Sequence, residues 1–384
     1  MKLDLFHDLA EENGPFASVT FDETRTDPAN ADRLDARWRD VADRLRDAGA
    51  PEEVVASLAE AALEPTGRGG QWGRLLVANA DGLLLRHDLP RRPDQDVSWG
   101  PVPSLLHAIR ALASCLPHVV VRVDHIGADI EVNGGISGSE EELEVQGDHD
   151  VLHRFKGGGW SHRRFQERVH DSWEHNAATV AQRLDGIVRH YRPQVIVLMG
   201  DERAMTFLEQ HVGEETKALI VRSDTGGRAE GTDEEKERLA IEAVLAATRA
   251  QAEADLVARF EEQTGRAEAA TEGLAPVVEV LQRAQAEELI LVEGREHDDQ
   301  LWVGEGRLQL GTSREDAEMT GAEQPAQVPA DAALVWAAVC SRAAVTLVDR
   351  AQLNPADGVG AVLRWSDEST PRARVPSVPG HGGT

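Results

Sequence analysis

The run from Leu152 to Tyr191, LHRFKGGGWSHRRFQERVHDSWEHNAATVAQRLDGIVRHY, constrains the fold more than any other stretch. Three successive glycines, Gly157, Gly158 and Gly159, lead into Trp160, Ser161 and His162. Behind them Phe165, Val169, Trp173, Ala177, Val180, Leu184 and Val188 recur every three or four residues. That period draws one apolar stripe along a long helix, and the stripe needs a surface to bury it. Ser161 suits the N-cap, where a hydroxyl accepts from an orphan N–H of the first turn. The helix must end before Pro193, because the residue preceding a proline is driven out of the α region.

The head of this helix contrasts with the rest of the chain. Between Leu152 and His170 there are five full positive charges, Arg154, Lys156, Arg163, Arg164 and Arg168, against the single negative Glu167. The chain as a whole carries a formal net charge of -28. His153, His162 and His170 add donors that charge readily beside phosphate. A glycine triplet offers backbone freedom without side-chain bulk, so it can lie against another polymer. Positive charge around such a tip suits the sugar-phosphate of RNA. Taken alone, a loop followed by a solvated basic helix start explains the same residues. The acidity elsewhere argues against nonspecific nucleic-acid binding, so any RNA contact has to come from a local basic island.

A length of 384 residues and 41% hydrophobic content fit two or three globular domains, and no apolar run reaches the length of a membrane span. The start, MKLDLFHDLAEENG, lacks the layout of an export signal, so a cytoplasmic protein is expected. Cys115 and Cys340, the only two cysteines, read as reduced core thiols. No P-loop, HExxH, GxSxG or paired-cysteine motif is present, and no cofactor or metal is expected. His162, His170 and His175 share one helix at spacings that do not converge on a metal.

Along the chain, a strand closing near Asp22, a helix over 30–48 and another from Pro51 precede a hairpin turning at Asp81-Gly82. Ser104 to Leu116 forms a further amphipathic run, completing an α+β domain over 1–117. GRGGQWG, residues 67–73, reads as a loop. The middle domain, 118–265, alternates strands and helices: HVVVRVDHIGADIEV, an acidic stretch from Glu140 to Asp150, the long helix, VIVLM, a helix from Glu202 and ALIV at 218–221. Such alternation predicts an α/β layer sandwich. A long helix from Asp233 to about Gln263 leads into a C-terminal α/β sandwich over 266–366. A Pro-, Gly- and Ser-rich tail, 367–384, is expected to be disordered.

Together these residues resemble the archaeo-eukaryotic release factor and Pelota family in its bacterial branch, close to the Balon-type ribosome hibernation factors. Leu152, His153, Phe155, Gly157–Gly159 and the Arg164-Phe165 pair carry the likeness in the middle domain. In the C-terminal domain LQRAQAEELILVE and the final Gly358, Gly360, Leu363, Arg364 and Trp365 carry it. The order of the three domains matches as far as about residue 366. The resemblance implies an RNase H-like middle domain whose glycine-rich loop enters the peptidyl-transferase centre. It also implies an N-terminal domain lying towards the decoding site, and a third domain that meets a translational GTPase such as elongation factor Tu.

One departure bears on chemistry. Release factors of this family carry Gly-Gly-Gln at the loop tip, and the glutamine places the water that attacks the peptidyl-tRNA ester. Here Gly158-Gly159 is followed by Trp160. An indole has one donor and no amide acceptor, so it cannot reproduce that geometry. Its face suits stacking on a base. Gln166 lies almost two turns further on, and His162 has no evident orienting partner. The resemblance therefore implies a monomeric binder of ribosomal RNA at the A site, acting in hibernation or rescue without catalysis. Arg154, Lys156, Gly157 to Trp160, Ser161, His162, Arg163, Arg164 and Arg168 form its contact surface. A peptidyl-tRNA hydrolase working through His162 or Gln166 is the second reading, and a stress protein binding another structured RNA the third.

Overall fold

The computed structural model of the chain describes residues 1–371 except 2, 25–28, 65–70, 125, 135–139, 147–160, 229–232, 267 and 295–298. For 29–33, most of 140–146 and 161–175 it describes the backbone alone. The chain divides into two compact units. One comprises Met1–Ser114 and Glu253–Thr384, the other Cys115–Ala252.

The first unit begins with a 3-10 turn, Asp4–Glu11, then β1 (Phe16–Asp22), α1 (Ala29–Asp47), α2 (Glu52–Leu63), β2 (Gly73–Asn79), β3 (Gly82–Leu89), β4 (Asp96–Gly100) and α3 (Leu106–Leu112). The strands form one antiparallel sheet in the order β3-β2-β1-β4. Gly82, with φ of 122°, makes the turn expected at Asp81-Gly82. One face of the sheet packs Ala17, Val19, Phe21, Leu76 and Ala78 against Leu34, Trp38, Val41 and Leu45 of α1 and Val54 and Leu58 of α2. At the edge of this layer Arg74 is fully buried. It reaches Glu23 at 3.2 Å, Asp88 at 2.9 Å and the carbonyls of Ala61 and Ala62 at the end of α2.

The second unit follows as β5 (His118–Val123), β6 (Gly127–Asn133), β7 (Glu140–Gln146), α4 (Ser161–Tyr191), β8 (Val195–Gly200), α5 (Glu202–His211), α6 (Glu214–Ala218), β9 (Ile220–Ser223) and the first part of α7 (Glu234–Arg266). Its sheet runs β7-β6-β5-β8-β9, antiparallel across the first three strands and parallel across β5, β8 and β9. The acidic run from Glu140 becomes an edge strand as far as Gln146. The expected strand at 218–221 is displaced to Ile220–Ser223, because Glu214–Ala218 closes a short helix first. Helices cover both faces, which accounts for the continuous apolar run of β8. Val119, Val121, Ile196 and Leu198 meet α4 and α5 on one side, while Val120, Val197 and Met199 meet Ile241 and Val244 of α7 on the other.

Past residue 252 the chain rejoins the first unit. Leu256 and Phe260 of α7 enter its core, followed by β10 (Ala270–Glu272), α8 (Leu274–Gln282), β11 (Ala286–Val292), β12 (Gln300–Val303), β13 (Leu310–Gly311), α9 (Arg314–Met319), β14 (Ala326–Pro329), α10 (Ala330–Ser341), β15 (Ala344–Val348) and β16 (Val359–Leu363). Two sheets result, β10-β16-β11-β15 and the smaller β13-β12-β14. Helix α10 is apolar nearly all round and correspondingly buried. Its Trp336 lies 5.5 Å, centroid to centroid, from Phe16 of β1, so the first and last segments share one core. The C-terminal motif has a steric logic here. A Cβ at Gly360 would come within 2.8 Å of the Phe260 ring. Arg364 donates to the carbonyls of Ala284 and Ser341, at the ends of α8 and α10. Residues 367–371, expected in the tail, instead fold back. Thr370 is buried and Gln285 donates to its hydroxyl.

No helix among the described residues is long and apolar enough to cross a membrane.

Candidate functional site

Of the residues expected to contact RNA, Arg154, Lys156, Gly157, Gly158, Gly159 and Trp160 lie outside the described residues. Ser161, His162, Arg163, Arg164, Gln166 and Arg168 occupy the first two to three turns of α4. Ser161 is the first helical residue of α4, not the cap expected of it. By helical spacing, positions 161, 164 and 168 fall on one face. This end of the helix also presents the positive pole of the backbone dipole, which favours an approaching anion. The segment between Gln146 and Ser161 therefore joins an edge strand to a helix N-terminus, with basic residues at its helical end.

Helix α4 is 31 residues long, about 46 Å at the usual rise. Its described half is well seated. Ala177, Val180, Ala181, Leu184, Ile187 and Val188 are buried against the strands and α5. The stripe predicted from the sequence is thus the buried face from Ala177 onward, with Ala181 and Ile187 added to it. Asp185, one residue off that stripe, reaches the neighbouring helix. Its carboxylate accepts from the Gly213 N–H at 3.1 and 3.2 Å and from the Thr216 hydroxyl. Gly213 is the N-cap of α6. Helix α5 is capped by Asp201, which accepts from the N–H groups of Arg203 and Ala204. Arg222 of β9 is paired to Glu209 of α5 at 2.7 Å.

A charged cluster that the sequence reading did not single out lies on the opposite face of the same sheet. Arg122 donates to Glu237 of α7 at 2.5 Å and to Glu131 at 3.1 Å. Arg228 spans Asp124 at 3.0 Å and Asp129 at 2.9 Å. Burial works against both guanidinium charges, but the facing carboxylates overcome it and hold both above their ordinary value. Burial also pushes the Asp124 carboxyl up. The N–H groups of Gly127 and Ile126, with Arg228, outweigh it and hold the group below its ordinary 3.8. Within the cluster every arginine has carboxylate partners, so its chemistry is that of a clamp between β5, β6 and α7. Parity carries the signal: Arg122 faces Asp129, and Val120 faces Glu131, across β5 and β6. What could not be read was Glu237, which arrives from 115 residues away.

Residues 117–266 match the family described as bacterial archaeo-eukaryotic release factor family 2. An uncharacterized protein of Mycobacterium tuberculosis is 28% identical over 368 residues, spanning 93% of this chain and 95% of its own length. Among solved structures, Archaeoglobus fulgidus Pelota aligns at 14% identity and a TM-score of 0.33, covering 94% of this chain and 92% of its own. Saccharomyces cerevisiae Dom34, a translation termination-like factor, aligns at 9% and 0.38, over 78% and 81%. Scores this low leave the weight on the sequence match. The matched segment coincides with the second unit and the helix that leaves it, and it contains the glycine-headed helix. Through residues 117–266 the chain is similar to a bacterial release-factor-like family.

Proposed function

We propose that this protein binds the ribosomal A site through the Gly157–Trp160 tip and the head of α4, without hydrolysing peptidyl-tRNA, in hibernation or rescue of idle ribosomes. The observation that carries the reading is Trp160, which follows Gly158-Gly159 where hydrolytic members of the family have glutamine. An indole supplies stacking surface and a single N–H, which suits holding an RNA base and not orienting a water. The surplus of arginine and lysine around the tip supplies the sequence-independent attraction to phosphate. The acidic remainder of the chain suits contacts with proteins, among which a translational GTPase such as elongation factor Tu is the proposed partner. A peptidyl-tRNA hydrolase using His162 or Gln166 is the competing reading. The three-domain division at 117 and 265 is part of the same proposal.

Ribosomes carrying labelled peptidyl-tRNA separate the two. Binding without release is expected of the wild-type protein, weakened by Trp160→Ala and by the Gly158→Ala/Gly159→Ala pair. Release that vanishes in His162→Ala would establish the hydrolase. The Arg163→Ala/Arg164→Ala pair should also flatten the salt dependence of binding, lowering the slope by about one for each phosphate no longer neutralised. An unchanged slope would remove both arginines from the interface.

A further inference from the structure

We infer that Asp185 is the positioning residue that sets the phase and tilt of α4, and so the placement of its basic head on an RNA target; this rests on the binding reading above. The buried stripe of α4 is made of Ala177, Val180, Ala181, Leu184, Ile187 and Val188, whose packing is non-directional. Such a face holds a helix against a sheet while tolerating small rotations and slides. Asp185 adds direction. Its two oxygens receive the Gly213 N–H at 3.1 and 3.2 Å, and one also receives the Thr216 hydroxyl, itself almost fully buried. The Thr216 bond is charge-assisted and part-buried, the Gly213 bond is exposed, and both depend steeply on angle. The pair therefore ties α4 to the start of α6 at one rotational setting.

The leverage is large because the pin sits near one end of the helix and its basic head, from Ser161, at the other. Ser161 lies 24 residues before Asp185, or about 36 Å along the axis. A tilt of about 5° at Asp185 moves Ser161 by roughly 3 Å at that rise, the span of a whole hydrogen bond. Contacts from the head of α4 to phosphates cannot survive such a shift together. Loss of the pin should thus weaken binding while leaving the core of the unit intact.

The test uses the full chain with Cys115 and Cys340 replaced by serine and nitroxide labels placed at Glu167 and Glu202. Electron–electron distance measurements then report the setting of α4 against α5. Asp185→Ala and Thr216→Val are expected to broaden the distance distribution and to raise the Kd for ribosomes about tenfold, with Asp185→Asn intermediate because its amide oxygen still accepts one bond. Melting temperatures read alongside show whether either variant has unfolded, and Thr216→Val, which keeps the volume, covers that case for Asp185→Ala. A distribution as narrow as wild type in both variants overturns the assignment, as does broadening with unchanged affinity. Should the wild-type protein not bind ribosomes at all, the proposed function fails while the distance measurement still decides the role of Asp185.

Discussion

At the scale of single residues, Arg74 shows how much one buried charge can organise. With no exposed surface it gathers Glu23, Asp88 and two carbonyls of the last turn of α2. Those carbonyls are among the four that every helix leaves unpaired at its C-terminus, so the guanidinium replaces a cap. Removing it would take a buried cation away from Glu23 and the donor away from those carbonyls. Arg74→Met should therefore cost about 3–5 kcal/mol, in the range found when one partner of a buried ion pair is deleted. Chemical denaturation checks this, and a loss below about 1 kcal/mol would mean that water reaches the site. Cys340 illustrates the opposite case. Burial in α10 pushes its thiol up to about 12, so it stays protonated and inert.

At the scale of elements, the β5–β6 turn is held by Asp124, which accepts from Ile126 at 2.8 Å and Gly127 at 2.9 Å and pairs with Arg228 on the strap before α7. Because the folded carboxyl titrates below its ordinary 3.8, its contribution is present above that pH and is lost as the pH falls through the folded value. Asp124→Asn should therefore melt earlier than wild type at pH 7, and the gap should narrow as the pH falls below 3.8. A gap that persists in acid would assign the effect to packing. Elements are also where the sequence is most readable. The stripe from Ala177 to Val188, the Asp81-Gly82 turn and the β5–β6 pair follow from period and turn chemistry, which are local. Glu214–Ala218 escapes such a reading because a five-residue helix has too few turns to show a period. The clamp of Arg122 on Glu237 escapes it because its partners are joined only by the fold. Within the candidate site, the sequence supplies the charge, the glycines and the tryptophan. It could not supply Asp185, an ordinary carboxylate until α6 is brought to it.

At the scale of the whole molecule, Met1–Ser114 and Glu253–Thr384 form one compact unit, and Phe16 and Trp336 meet in its core. Deleting that ring pair should be felt on both sides. Trp336→Ala is expected to cost about 3–5 kcal/mol. It should also speed amide exchange in β1 and β11 together, since both belong to one compact unit. Faster exchange in β11 alone would show that the two segments unfold independently. Such separation is invisible to hydrophobic periodicity, which reports that a face is buried and not which part of the chain buries it.

The meeting of Phe16 with Trp336 also sets an order on biosynthesis. As the nascent chain leaves its own ribosome, strand β1 emerges early, and the aromatic ring that completes its surroundings is not made until some 320 residues later. The intervening unit has all of its sheet by Ser223 and can close while the first segment still waits. A protein of this layout finishes from the inside outward, and its earliest segment depends on a late one for shelter.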